Sequence, residues 1–238
     1  MSSAGLSVGI TFALPAESSD FVKLLTKREL FSSGGIDIIR GQLHEKTIVV
    51  LHTGVGQKIC HGRIDVFLQT VELDYLISTG FAGALDPELR VGDLLVSENF
   101  SSPELLQLPQ IKRAEHGFSS GKLVTAPRII ASETDRKRYA TETGARAIDM
   151  ETACIAAACE EHRIPMLSLR VISDTASEPF PAPPEVLFDL QRQRTNIARL
   201  ALYLATHPTA FRRLAVFRRQ IDSARRSLTT TLDKLLYV

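Results

Sequence analysis

Short apolar runs rich in Val and Ile alternate along this chain with longer stretches in which apolar residues recur at helical spacing. That alternation is the pattern of an α/β fold. Strands are predicted at Ser7–Leu14, Thr47–His52, Asp74–Ser78, Asp93–Ser97, Lys122–Thr125 and Met166–Ser173. Helices are predicted at Ala16–Leu30, Gln57–Glu72, Ile130–Thr141, Met150–His162, Pro184–Thr206 and Thr209–Leu236. Thr53-Gly-Val-Gly56 and Thr79-Gly-Phe-Ala-Gly83 each follow a predicted strand, where open α/β sheets place ligands. Pro15 suits the first turn of a helix, and the run Glu178-Pro-Phe-Pro-Ala-Pro-Pro184 reads as a stiff loop. The segment 98–121 is the least regular part of the body.

In the last predicted helix Leu214, Ile221, Leu228 and Leu235 repeat every seven residues, flanked by Phe211, Phe217 and Leu232, with arginine pairs between them. Two readings stand side by side. The helix packs on the body or on a second subunit with a solvated basic face, or it lies on an anionic membrane surface. The predicted organisation is a single α/β domain over residues 1–206 and a basic amphipathic helical extension over 207–238.

Composition narrows the class. With 238 residues, 44% hydrophobic and 23% charged, the chain fits one large globular domain. It has no run of about 18 apolar residues to span a bilayer and no basic, A-x-A-type leader pattern at its start. The net charge of +1 hides an asymmetry. From His207 onward seven basic residues face two acidic ones, so the rest of the chain is net acidic and gives no reason to expect nucleic-acid binding. Cys60, Cys154 and Cys159 lack metal-ligand spacing and read as small apolar residues of a reduced cytoplasm. The six histidines are scattered, so no metal site is expected.

Glu17, Glu151 and Asp174 each sit just past a predicted strand and could converge at one sheet edge. Taken singly, an acidic residue there more often caps a helix. Their contexts are Val8-Gly-Ile-Thr-Phe-Ala-Leu-Pro-Ala-Glu17, Ala147-Ile-Asp-Met-Glu-Thr-Ala-Cys-Ile-Ala156 and Leu169-Arg-Val-Ile-Ser-Asp-Thr-Ala176. Together with Ile77-Ser-Thr-Gly-Phe-Ala-Gly-Ala-Leu-Asp-Pro-Glu-Leu-Arg-Val-Gly-Asp93, these resemble the methylthioadenosine/S-adenosylhomocysteine nucleosidase branch of the nucleoside phosphorylase family. The resemblance runs from about residue 7 to 180, with four motifs in register.

It implies a three-layer α/β/α sandwich around a twisted mixed sheet, and cleavage of a purine N-glycosidic bond without metal or organic cofactor. Breaking that bond develops positive charge on the sugar while the base leaves with an electron pair. The base then needs a proton, and the water needs a position and an acceptor. By resemblance Asp174 is the general acid for purine N7, its carboxyl kept protonated or sharing a proton through burial. Glu17 positions and deprotonates the water, and Glu151 accepts from the ribose hydroxyls. Arg170 helps hold water and carboxylates, or is a structural ion pair. Met150 packs on the ribose or in the core. Ser173, Ala82 and Gly83 contact the base or hold Asp174, and Phe180 joins the substrate-binding set. The partners implied are a small purine nucleoside and further copies of the chain, in the cytoplasm.

Three departures bear on specificity. Phe81 stands where the family has a small polar residue, Pro15 and Ala16 replace acidic neighbours, and Ile129 or Ile130 replaces a base-stacking aromatic. Phosphorolytic relatives hold phosphate with arginines that Thr53–Gln57 and Ile77–Thr79 lack, which favours hydrolysis. Asp-Met-Glu-Thr-Ala, the Glu-Pro-Phe-Pro run and the arginine-rich last helix also resemble the hopanoid-associated nucleosidase/phosphorylase group, implicated in removing adenine from the apolar lipid adenosylhopane. That leaves a phosphorylase acting on an adenosyl lipid as one alternative. A non-catalytic nucleoside sensor is another.

Overall fold

The computed structural model describes residues 5–113, 117–177, 182, 183, 186, 193, 200, 202, 203, 206, 207 and 209–237. The strands are β1 (Ser7–Phe12), β2 (Thr26–Ser33), β3 (Ile36–Leu43), β4 (Lys46–His52), β5 (Tyr75–Ala84), β6 (Leu94–Ser97), β7 (Phe118–Gly121), β8 (Leu123–Thr125), β9 (Ala147–Asp149) and β10 (Met166–Asp174). The helices are α1 (Pro15–Ser18), α2 (Phe21–Leu24), α3 (Gln57–Thr70), α4 (Pro103–Leu106), α5 (Pro109–Arg113), α6 (Glu133–Thr143), α7 (Thr152–Glu161) and α8 (Thr209–Leu236).

The strands join in one mixed sheet of order β2-β3-β4-β1-β5-β10-β6-β7, with β9 pairing both β5 and β8. The centre is parallel (β4, β1, β5, β10), whereas β10–β6, β2–β3 and β3–β4 are antiparallel. Period-2 alternation sends side chains to two faces. Val8, Ile10, Phe12, Ile48, Val50, Leu167, Leu169 and Val171 pack with Ala224, Leu228, Leu232 and Leu236 of α8. Val49, Leu51, Leu76 and Met166 pack on the other side with Cys60, Ile64 and Phe67 of α3 and Ile155 and Ala158 of α7. These are the three layers expected, helices on both faces of a mixed sheet.

Two sequence expectations need correction. The helix predicted over Ala16–Leu30 is two short turns followed by β2, and Leu30 is a strand residue paired with Ile39. Gly34 and Gly35, both at positive φ, turn β2 into β3, a hairpin the helical reading overlooked. β5 also runs on to Ala84, so Thr79–Gly83 belongs to the strand rather than to a turn after it. Most of the predicted helix Pro184–Thr206 lies outside the described residues.

In the second half of the last helix the most buried positions recur every four residues, beside the seven-residue seam rather than along it. Ala224, Leu228, Leu232 and Leu236 are all 0–1% exposed, and Lys46 Nζ on β4 donates to the Leu236 carbonyl at 3.0 Å. This half of α8 shares the core of the sheet. Toward its start, Phe211, Val216, Arg212, Arg213, Arg218 and Arg219 are exposed. No helix among the described residues is long and apolar enough to cross a membrane.

Candidate active site

A cavity of about 330 Å3 opens at the carboxyl ends of β1, β5 and β10, within the usual range of small-molecule sites. Glu17, Glu151 and Asp174 all line it, together with Phe81, Ala82, Gly83, Ile129, Met150 and Ser173. Arg170 lies behind this wall. It lines a smaller adjoining cavity of about 10 Å3, shared with Glu17, Glu151, Thr11, Thr79 and Gly80. Phe180 lies outside the described residues.

Each carboxylate is placed by a different strand exit. β1 ends at Phe12, and Pro15 at the first helical position turns the chain into α1, which aims Glu17 back at the sheet. Glu17 Oε2 accepts from the Ala13 N–H at 3.0 Å, so this residue does bond a helix-entry amide. Gly80, at φ +143, passes directly beneath it, and a Cβ there would stand 2.8 Å from Glu17 Oε2. Burial pushes Glu17 up to about 7, against the Ala13 N–H and the Arg170 charge, which hold it down.

Glu151 follows β9 at the entry to α7 but makes no side-chain cap there. The capping falls to Asp149, whose carboxylate accepts from the Thr152 N–H at 3.1 Å and from the Thr152 hydroxyl. Glu151 is thereby free to face the cavity, where Oε1 accepts from the Gly56 N–H at 2.6 Å. Burial first, then the charge of Asp149, pushes Glu151 up to about 8. The charge of Glu17 adds to that rise.

Arg170 is committed to the framework. Its Nε donates to Asp149 Oδ2 at 3.1 Å, and its Nη atoms donate to Ser78 O (2.7 Å), Leu169 O (2.9 Å), Ser78 Oγ (2.8 Å) and Thr152 Oγ1 (2.5 Å). Of its two sequence readings, the buried ion pair is thus present, and its charge also reaches Glu17 and Glu151.

Asp174 ends β10 at a register shift opposite Gly83. Ser173 Oγ donates to its Oδ1 at 2.6 Å. Its Oδ2 accepts from Arg136, a residue of α6 that the sequence reading did not single out. Arg136 stands among Lys137 and Arg138, and nothing local distinguishes it from those two exposed neighbours. Phe217 and Ile221 of α8 line the cavity as well, a role that the apolar seam alone did not specify.

The family model of the Phosphorylase superfamily matches residues 7–113 and 99–206. The chain belongs to the Phosphorylase superfamily. Among its relatives, a 5'-methylthioadenosine/S-adenosylhomocysteine nucleosidase of Tolumonas auensis is 22% identical, covering 83% of this chain and 98% of its own. The Staphylococcus haemolyticus protein of the same name is 26% identical, over 71% and 87%. The crystal structure of the S-adenosylhomocysteine nucleosidase of Streptococcus pyogenes in complex with 5-methylthiotubericidin superposes with a TM-score of 0.75, at 16% identity, over 100% of this chain and 98% of that one. That structural likeness shows that this superfamily member shares the nucleosidase fold. The three-layer architecture brings the three strand exits together here.

Proposed function

We propose that the chain is a purine nucleosidase that hydrolyses the N-glycosidic bond of an adenosyl-type nucleoside. The observation that carries this reading is the meeting of Glu17, Glu151 and Asp174, from three separate strand exits, in one cavity of about 330 Å3. The nucleosidase relatives support the same reading.

In the proposed reaction a water oxygen bonds to C1′ and gives a proton to Glu17. The C1′–N9 electron pair leaves with the purine, which takes a proton at N7 from Asp174 in its protonated form, and Arg136 pairs with the carboxylate that remains. Glu151 accepts from the ribose hydroxyls, and in its ionised form it favours the sugar cation. The adjoining cavity of about 10 Å3 is the size of a single water. Its Thr11 and Thr79 hydroxyls are buried without a protein partner among the described residues, which suits a water held beside Glu17. A carboxyl at about 7 both accepts and releases a proton readily at neutral pH.

Hydrolysis is favoured over phosphorolysis because, among the described residues, the Val55 and Gly56 N–H groups of the early glycine loop are already engaged. The Val55 N–H donates to Gln193 Oε1 and the Gly56 N–H to Glu151 Oε1, both at 2.6 Å. Incubation with methylthioadenosine, S-adenosylhomocysteine and adenosine, with and without phosphate, tests the reaction. Base release at equal rates in both arms is expected, and absolute phosphate dependence would instead establish a phosphorylase.

Two finer readings belong with this one. Phe81, Phe217 and Ile221 supply an apolar wall suited to an apolar 5′ group, as on an adenosyl lipid such as adenosylhopane. The exposed Phe211, Val216, Arg212, Arg213, Arg218 and Arg219 suit an anionic membrane surface beside that wall. Binding to anionic but not neutral vesicles, weakened by glutamates at the four arginines, is expected; equal binding to both would remove the membrane contact. A second copy of the chain would cover the open groove of Val55, Ile59, Pro127, Met150 and Cys154, which light scattering reads as a dimer mass.

A further inference from the structure

Arg136 is buried to 2% exposure on a helix that is otherwise mostly solvated. Ser132 caps that helix by accepting from the Asp135 N–H at 3.0 Å, which sets the first turn and points residue 136 inward. A guanidinium taken out of water costs several kcal/mol unless it is paired and hydrogen-bonded. Here one Nη donates to Asp174 Oδ2 and the other to the Ala84 carbonyl at 2.9 Å. Its Nε, also buried, has no partner among the described residues.

Two details set this pair apart from a brace in the protein interior. Both partners line the substrate-sized cavity. The strand beside them is also cut away to admit them, since a Cβ on Gly83 would stand 3.1 Å from both Arg136 Nη1 and Asp174 Oδ2. With Ser173 on Oδ1 and Arg136 on Oδ2, the carboxyl is held at both oxygens and cannot turn freely about its last bond. A group that must meet one atom of a flat base gains from being held this way, because misplacement by about 1 Å can cost a factor of 100 in rate.

We propose that Arg136 is a positioning residue for base recognition: it fixes the Asp174 carboxyl against the N7 edge of the purine. It acts through Asp174 and not by its own contact with the base. This assignment rests on the reading of the cavity as a purine site, and it adds to that reading a dependence of binding on N7 that one arginine controls.

The test compares adenine with 7-deazaadenine, which differs at position 7, by calorimetric titration of the full chain. Parent protein is expected to bind adenine at least about tenfold more tightly, the worth of one good hydrogen bond to a buried group. In Arg136→Gln that ratio falls below about threefold, while kcat on the nucleoside drops about 10- to 100-fold and KM changes little. A folded Arg136→Gln that keeps the tenfold ratio reduces Arg136 to a structural brace and overturns the proposal. Should that variant fail to fold, Gly83→Ala presses on the same pair more gently. Loss of the ratio is expected there too, and its retention overturns the proposal equally. A parent protein that shows the ratio yet releases base from no nucleoside defeats the nucleosidase reading alone.

Discussion

Replacing Glu17 by Gln should cut turnover sharply and stabilise the protein, by an amount that grows with pH. In the folded chain burial holds the Glu17 carboxyl at about 7 against an ordinary 4.5. Between those values the unfolded chain gives up the proton and the native chain keeps it, so native stability falls as pH rises and levels off above about 7. At about 1.4 kcal/mol per pH unit, the ceiling on this penalty is about 3 kcal/mol at pH 8. Gln keeps an acceptor for the Ala13 N–H but has no proton to lose. The variant should therefore exceed the parent by only about 1 kcal/mol at pH 5 and by up to about 3 kcal/mol at pH 8, or roughly 6–12 °C in Tm for a chain this size. Glu151 titrates in both proteins, and its own rise shrinks once Glu17 carries no charge, which adds to the gain at high pH. The assay is urea or thermal unfolding from pH 5 to 9, with base release measured on the same samples. Parent activity should climb with pH through about 7 as Glu17 becomes the free base, and the variant should lose about 100- to 10,000-fold in kcat. A stability difference that is flat with pH, or a variant less stable than the parent at pH 8, would refute the reasoning.

Three further outcomes follow from the same geometry. Glu151→Gln is expected to lower kcat/KM on ribosides by about 100-fold or more, with a much smaller effect on a 2′-deoxy substrate; equal losses on both would remove its role at the ribose. Gly80→Ala places a Cβ 2.8 Å from Glu17 Oε2 at a φ of +143 and should cost activity and at least about 1 kcal/mol of stability, with wild-type values in both assays counting against the close approach. Leu228→Ala, at a residue 1% exposed, should cost about 2–5 kcal/mol in denaturant unfolding, and a loss under 0.5 kcal/mol would mean that α8 does not share the core.

The strand exits were legible because buried parallel strands leave continuous apolar runs, and because Pro15, Gly56 and the Asp-Met-Glu turn mark where the chain leaves them. The convergence of Glu17, Glu151 and Asp174 follows from those exits and was read correctly as a placement. The β2–β3 hairpin was missed because β2 is mostly exposed, so Thr26–Leu30 carries no inward alternation to betray a strand. The place of Asp149 was hidden for another reason. Either acid of Asp-Met-Glu could cap α7, and only the fold shows that Asp149 does so and releases Glu151. Arg136 was invisible because its partner lies 38 residues away, and a run of basic residues on a polar helix reads as a solvated face. Leu214, Ile221, Leu228 and Leu235 gave the right face of α8 in part, but not what the face meets, since core and cavity wall ask for the same apolar stripe.

Helix α8 follows every strand in the order of the chain. During synthesis the sheet therefore leaves the ribosome before its cover, with Val8, Ile10, Phe12, Ile48, Val50 and Leu169 facing solvent until Leu228 and Leu232 arrive. The same arrival brings Phe217 and Ile221 to the cavity wall. Protection of an aggregation-prone face and completion of the pocket thus become one event in time. A ribosome stalled before residue 209 would hold a nascent chain that still lacks both the helix on this sheet face and that part of the cavity wall.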